Sequence, residues 1–445
     1  MNMPSAAEGS AVSESLSSTS QPASGAVGGF SSQLLESIRE RFYFPKEVAT
    51  FLDSASGSLK LKAAIETLAE SSRWPNSSFG ADAILSSEVV SRGADDVRRF
   101  LGGATAVVIP ALSATHAVYR TLNAVLGQAS GSNLVTTNLE HPAVGDSTYT
   151  LAKVYGKERR VAGVDPTTGR VPPESVLRLV DRGTDALAFV HGSNITGAII
   201  DVEALVSEAR RLNPNIFIIV DGVQYASHHW VGFDDLGIDA YVFSPYKIFS
   251  VKGLGFAALS DRLAQLPHWS LRGYETTDWT LGNPDDSAYA AWSSVVAYLD
   301  WLGSQVSSSN ASPERIAAAM AASGHHTSSL LDLLVHGSFG VQGLKAIEGV
   351  RLHAMADGTQ NRLGIALFEV DGIGAEAAAE VYLRQGIAVS SRTRDAYTKD
   401  VLEGLGVQEG IRVSTCHYTT PDEIEQFLRV TASIAAKARR ETRRS

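Results

Sequence analysis

The sequence predicts an α/β fold: a large domain on a mostly parallel sheet with helices on both faces, then a smaller α+β domain. Two patterns carry this expectation. Between Ala106 and Leu259, short apolar runs alternate with helical stretches, the order of a parallel sheet built from strand–helix–strand units. Beyond residue 304 the order changes to long helical patterns followed by scattered short strands. A third observation concerns function: several apolar runs in the first part end in polar residues, and open α/β sheets bind ligands at the carboxyl ends of their strands.

Residues 1–30 are mostly Ser, Ala and Gly with no Lys or Arg, and read as a disordered tail, neither a secretory signal nor a presequence. Residues 31–49 form a segment expected to pack with the small domain, and Ser31 to Arg41 reads as an amphipathic helix. The large domain is assigned residues 50–304 and the small one 305–445. The turn Ser54-Ala55-Ser56-Gly57-Ser58 would let backbone approach a ligand closely. Helical patterns follow at Leu59–Ser71 and Asp82–Leu101. Strands are expected at Ala106–Ile109, Asn133–Thr137, Lys157–Val161, Ala186–Val190, Ile216–Val220, Ala240–Phe243 and Phe256–Leu259. Helices are expected at Ser113–Leu126, Pro142–Leu151 and Val202–Leu212. Further on, helices are read at Asp286–Leu302, Pro313–Val335, Ala375–Arg384 and Pro421–Ala435, and strands at Gly364–Val370, Ala388–Ser390 and Ile411–Ser414.

Composition narrows the class. Apolar content of 44% and charged content of 19% describe a globular protein, and the net charge of -10 argues against nucleic acid as the main partner. The basic end, Lys437 to Arg444, reads as a solvated helix end. The single cysteine, Cys416, rules out an intramolecular disulfide framework and a multi-cysteine metal site, and suits a reducing, cytoplasmic setting. No apolar run approaches the ~20 residues of a membrane helix. Gly253 to Ala258 fits a loose dinucleotide fingerprint but leads into a strand, so its context fails. The pairs His228-His229 and His325-His326 have no acidic or cysteine ligands at metal spacing. Tyr274, Trp279, Tyr289 and Trp292 are read as packing at a subunit interface or shaping a pocket.

Five stretches stand where ligand chemistry belongs. Ser113-Ala114-Thr115 opens a helix after a strand, either a phosphate seat on free N–H groups or a plain cap. Glu140-His141-Pro142 places a histidine that would lie flat on a planar ring or cap the next helix. Asn194, in Gly192 to Gly197, either donates to a phenolate oxygen or serves a turn. Asp221, with Gln224 nearby, closes the run IFIIV; a buried carboxylate there needs a cationic partner, such as a protonated pyridine nitrogen. Lys247, in Ser244-Pro245-Tyr246-Lys247, follows an apolar strand, where desolvation would depress an amine's pKa. Together they supply a phosphate seat, a ring stacker, a phenolate donor, a pyridine acid and a covalent amine.

These stretches, from Phe51-Leu52-Asp53 to the run Arg412-Val413-Ser414-Thr415-Cys416-His417, resemble the class V aminotransferase family of fold-type I pyridoxal-phosphate enzymes, in its cysteine desulfurase and selenocysteine lyase-like branch. The resemblance implies pyridoxal 5'-phosphate as cofactor, with Lys247 as its covalent anchor and proton carrier and Asp221 on the pyridine nitrogen. It implies Gln224 and Asn194 at the phenolic oxygen and His141 on the ring. Ala114, Thr115 and Ser244 would hold the phosphate, and Arg412 the substrate carboxylate. It further implies a homodimer with its active site near the subunit interface, in which Trp279 to Pro284 forms a loop crossing into the neighbouring subunit.

Departures from the family pattern shape the expected chemistry. Tyr246 stands where histidine is usual before the lysine, and Asn283 replaces the usual threonine of the crossing loop. The stretch Ile387 to Tyr397, where desulfurases carry their nucleophilic cysteine, has none; Cys416 lies elsewhere and reads as a small core residue. Arg392 and Arg394 occupy that stretch, as readers of an acidic substrate group or as a solvated loop. The expected activity is therefore a lyase-type elimination at a C–S bond of an amino acid or cysteine-type conjugate, without a persulfide. Transamination, epimerisation or decarboxylation-linked chemistry is the alternative, and a catalytically silent partner protein is the alternative of another class.

Overall fold

The structure is a computed structural model and describes residues 29–74 and 81–442. The expected tail at residues 1–30 therefore lies outside the described residues apart from Gly29 and Phe30, as do Arg443 and Arg444 of the basic end.

The chain opens with α1 (Ser32–Arg39), α2 (Lys62–Ser71) and α3 (Ala81–Leu101). A seven-stranded sheet follows, made of β1 (Val107–Ala111), β2 (Asn133–Thr137), β3 (Glu158–Ala162), β4 (Thr184–Val190), β5 (Phe217–Asp221), β6 (Ala240–Phe243) and β7 (Gly255–Leu259). Its order is β1-β7-β6-β5-β4-β2-β3. Only β7 is antiparallel to its neighbours, so β1 to β6 share one direction and present their carboxyl ends on one edge. The helices α4 (Ala114–Gln128), α5 (Pro142–Val154) and α6 (Val202–Leu212) connect them.

Burial on both faces explains the near-continuous apolar runs. Within β5, Ile218 and Val220 enter one core with Phe189, Phe243 and Trp292, while Ile219 enters the opposite core with Val118, Leu122 and Val125 of α4. Polar caps start the helices where the sequence places them: Ser113 Oγ accepts from His116 N–H at 3.2 Å, and Asp201 Oδ1 from Ala204 N–H at 3.1 Å.

Two long helices, α7 (Asp286–Val306) and α8 (Ser312–His336), lead to a four-stranded antiparallel sheet. It comprises β8 (Val350–His353), β9 (Ile365–Val370), β10 (Ser390–Thr393) and β11 (Glu409–Ser414), in the order β8-β9-β11-β10. Helices α9 (Ala375–Arg384), α10 (Lys399–Gly404) and α11 (Pro421–Thr442) complete it. Leu330, Leu334, Phe368, Val413 and Phe427 form the core between this sheet and its helices.

Several expectations are corrected. The strand β8 and helix α10 were not anticipated: β8 is a partly exposed edge strand carrying Arg351 and His353, and α10 has only 6 residues. The helix expected from Leu59 begins at Lys62, because Lys60–Leu61 pair with Phe42–Tyr43. Of the aromatics read as interface or pocket residues, Trp279, Tyr289 and Trp292 are buried in this chain's own cores, Tyr289 also lines a surface depression, and Tyr274 is exposed.

The N-terminal crossing sets up the site. Thr50–Phe51 pair in parallel with Ile387–Ala388, and Ala55 N–H donates to Ser414 Oγ at 2.9 Å. The small-residue turn from Asp53 to Ser58 is thus held by β11 while it passes over the strand ends of the large sheet.

Candidate active site

The carboxyl ends of β1, β2, β4, β5 and β6 line a cavity of about 70 Å³. Lys247 is its centre. The strand β6 is buried throughout and ends at Phe243; a single 3₁₀ turn, Pro245–Lys247, then turns the lysine inward. Its Nζ donates to the Ala55 carbonyl, which also receives Gln224 Nε2 at 2.8 Å. Burial pushes the amine down to about 7, helped by the Arg412 charge and opposed by Asp53. Near neutral pH the amine is therefore substantially unprotonated, as a nucleophile or proton acceptor must be.

Asp221 closes β5 at the cavity floor. Burial raises its carboxyl to about 6, against the Val223 N–H that donates to Oδ1 at 3.0 Å and the more distant Lys247 charge. Among the described residues no cation pairs with it. A buried carboxylate of this kind fits a protonated ring nitrogen.

His141 lines the cavity and also caps α5: its Nδ1 accepts from Ala143 N–H at 3.1 Å. Of the two readings of this residue, the cap is observed. Burial first, then the charges of Lys247 and Arg392, lower the imidazole to about 4, so it is neutral. Its neighbour Glu140 was not singled out from sequence. It is fully enclosed, accepts from Thr137 Oγ1 at 2.5 Å, and makes no ion pair among the described residues. Burial raises it to about 8, and Asp221 adds to the rise.

At the other end, the first turn of α4 brings Ala114 and Thr115 to the cavity. Ser244 Oγ accepts from Ala114 N–H at 2.9 Å, tying this helix end to the turn that carries Lys247. Gly255 lies directly beneath: an added Cβ would stand 2.3 Å from the Ser113 carbonyl carbon. This close approach gives the glycine of the failed dinucleotide pattern its structural role. Asn194, Gln224 and Tyr246 complete the lining. The cavity thus offers helix N–H groups and hydroxyls at one end, an uncompensated acid at the other, and an amine and a flat imidazole between. That donor set fits pyridoxal phosphate.

The remaining candidates lie differently. Arg412 is fully buried on β11 and is already bonded: Nη1 to Asn194 O at 2.9 Å, Nη2 to Asp53 Oδ1 at 2.8 Å and to Ser56 Oγ at 2.5 Å. Asp53 and Ser56, unassigned from sequence, therefore belong to the site; an acid beside a small-residue turn was the available signal. Arg392 joins the same cluster, whereas Arg394 turns away to the Val407 carbonyl. Asn283 is not brought to this chain's own cavity. It lies with Leu112, His116 and Arg120 along a separate depression outside the N-terminus of α4. Cys416 is buried away from the cavity, against His417 Nδ1 at 3.4 Å, and burial pushes its thiol up to about 12.

A buried, neutral-leaning amine at the carboxyl edge of a mostly parallel sheet is the arrangement that an α/β enzyme working through a covalent lysine requires. Comparison with known proteins takes the assignment further. The family described as Aminotransferase class-V matches residues 50–302 and 304–427. A cysteine desulfurase of Pectobacterium carotovorum is 26% identical over 404 residues, covering 85% of this chain and 91% of the relative. A probable cysteine desulfurase of Mycobacterium leprae is 26% identical over 364 residues, covering 77% and 80%. Among solved structures, the apo cysteine desulfurase of Thermococcus onnurineus superposes with a TM-score of 0.76 at 20% identity, covering 90% of this chain and 98% of that one. The chain belongs to the class-V aminotransferase family and is a pyridoxal-phosphate-dependent enzyme of fold type I.

Proposed function

We propose that the enzyme cleaves a C–S bond at the β-carbon of an amino acid or cysteine-type conjugate by elimination, without forming a persulfide on the protein. The observation that supports this reading is the state of Cys416: the only cysteine in the chain is 1% exposed, lies outside the cavity lining, and carries a thiol raised far above its ordinary range. Sulfur transfer to protein needs an accessible thiolate.

In this reading Lys247 anchors the cofactor, Asp221 meets its ring nitrogen, and Gln224 and Asn194 its phenolic oxygen. Ala114, Thr115, Ser244 and Tyr246 hold its phosphate, joined by Asn283 from the partner of a homodimer. When bound, pyridoxal phosphate withdraws electrons from the substrate's Cα and makes its proton removable. The Lys247 amine, poised near neutrality, takes that proton at its Nζ. Neutral His141 covers the cavity and keeps water from its face. Arg412, on exchanging its present contacts with Asn194, Asp53 and Ser56, holds the substrate carboxylate and so orients the Cα–H bond toward Lys247. Loss of the Cα proton and of the thiolate at Cβ leaves an enamine that hydrolyses to pyruvate and ammonia. A cytoplasmic setting, which keeps thiols reduced, accompanies the reading.

The test is product analysis of the reconstituted protein with S-substituted cysteines. Equal amounts of pyruvate, ammonia and thiol are expected, together with a visible absorption band that borohydride fixes to Lys247 and that Lys247→Ala abolishes. A new amino acid formed only in the presence of a keto acid would establish transamination instead. Sulfane sulfur bound to Cys416 would overturn the persulfide-free reading.

A further inference from the structure

Two guanidinium groups project from one face of the small sheet next to the cavity, where Arg412 reaches the carbonyl of the lining residue Asn194. Ser390 pairs with Arg412 and Arg392 with Gly410, so both arginines project from the same face, and Gly410 leaves room beside Arg392. Both donate to a single hydroxyl, Ser56 Oγ: Arg412 Nη2 at 2.5 Å and Arg392 Nη2 at 2.7 Å. Ser56 in turn donates to Asp53 Oδ1 at 2.8 Å, the same oxygen that receives Arg412.

The charges in this cluster do not match. Asp53 answers Arg412. Arg392 makes no ion pair among the described residues: Asp53, already bonded to Arg412, and Asp395 act on it only at longer range, and the Ser56 hydroxyl is its only hydrogen-bond partner. The Nε atoms of both arginines are buried with no acceptor. The Arg392 charge acts on Lys247 and His141 and opposes that of Arg412, which places it beside the same cavity. A guanidinium keeps its charge, and a half-buried one that makes no ion pair favours an anion beside it. The α-carboxylate of a substrate on Arg412 leaves that preference unmet.

We propose that Arg392 is a specificity-determining residue that binds a second acidic group, so that the substrate class is amino acids whose side chain or sulfur-linked tail ends in an anion. The inference rests on the reading of Lys247 as cofactor anchor and Arg412 as carboxylate ligand. Asp53 and Ser56 act as positioning residues that hold the two guanidinium groups apart at fixed spacing.

The experiment titrates the reconstituted protein, by change in its visible band, with L-aspartate, L-glutamate and S-carboxymethyl-L-cysteine, each beside its side-chain amide. Each acid is expected to bind at least about tenfold more tightly than its amide, the scale of a charge-assisted bond. In Arg392→Gln that ratio collapses toward one; in Arg392→Lys, which retains the charge without the fork, it weakens but survives. Equal affinities for acid and amide in the unaltered protein overturn the proposal, as does a ratio that persists in Arg392→Gln. The comparison on the unaltered protein decides the matter even where a variant fails to fold. Absence of any band reducible onto Lys247 would sink the cofactor reading itself, whereas a band without acid preference sinks this inference alone.

Discussion

Glu140 and Asp221 put two carboxyl groups within electrostatic reach of each other under the cavity, and neither has an ion-pair partner among the described residues. Such an arrangement is retained against stability, which makes it measurable. Glu140 has a folded-state value near 8 against an ordinary 4.5, so the native state binds its proton more tightly than the unfolded chain does. For an acid shifted upward, stability is greatest below the unfolded value and falls as pH rises toward the folded one. The cofactor-free protein should therefore lose stability between pH 4.5 and 8, by up to roughly 5 kcal/mol from this group at 1.36 kcal/mol per unit. Glu140→Gln should flatten that slope, read as thermal midpoints across the pH range. A slope unchanged in the variant would place its origin elsewhere. At the same scale, the sequence showed Lys247 and Asp221 clearly, because each ends an apolar strand where a charge is conspicuous. Glu140 was missed because its strangeness lies in a missing partner, which only folded geometry reveals.

Elements, more than single side chains, set where those groups stand. The first turn of α4, the Ser244 turn and β7 form one unit: Ser244 Oγ holds Ala114 N–H, and Gly255 passes within contact of Ser113 and Ala114 backbone. A methyl group at Gly255 would meet main-chain atoms at 2.3 Å and 2.7 Å, which cannot rotate away as a flexible side chain could. Gly255→Ala should therefore displace the helix end, costing about 1–3 kcal/mol of stability and lowering cofactor affinity by about tenfold or more. Equilibrium dialysis against pyridoxal phosphate, alongside thermal melting, checks both parts. Wild-type affinity in the variant would mean that the helix end takes no part in binding. The strands of the large sheet were legible because burial on both faces leaves unbroken apolar runs, as in Ile216 to Val220. The short helix α10 and edge strand β8 were not, since their periodicity is too brief or too polar to separate from loop. Gly255 was seen in the sequence for its spacing to Gly253, but its role is steric and belongs to the packing of β7 on α4.

At the scale of the whole molecule, the segment between β7 and α7 departs from the economy of the rest. Trp269, Leu271, Tyr274 and Leu281 are each at least 45% exposed, on a stretch that also carries Asn283. Leu112, which shares a depression with Leu281 and Asn283, is 73% exposed. Large apolar side chains gathered on one segment mark an association surface more often than solvent-facing loop. The proposed homodimer, if built on this surface, would account for both the exposed residues and the distance of Asn283 from its own chain's cavity. The aromatic reading made from sequence placed Tyr274, Trp279, Tyr289 and Trp292 at an interface or around a pocket; Trp279, Tyr289 and Trp292 form core, with Tyr289 also lining the depression beside Asn283, because aromatic residues look alike in sequence whether buried inside or against a partner. The residues to test are therefore Trp269 and Leu281. An aspartate at either position puts a charge into a desolvated contact, and loss of a central tryptophan commonly weakens an interface by 2 kcal/mol or more, about thirtyfold in dissociation constant. Trp269→Asp combined with Leu281→Asp should convert a dimer to a monomer in sedimentation velocity at micromolar protein, with the thermal midpoint of the monomer's own cores little changed. Under the proposed contact of Asn283 with the partner's cavity, cofactor affinity should fall in step with dissociation. A dimer that survives both substitutions would assign the exposed segment another role, and an unaltered affinity in the monomer would show each chain's cavity to be complete by itself.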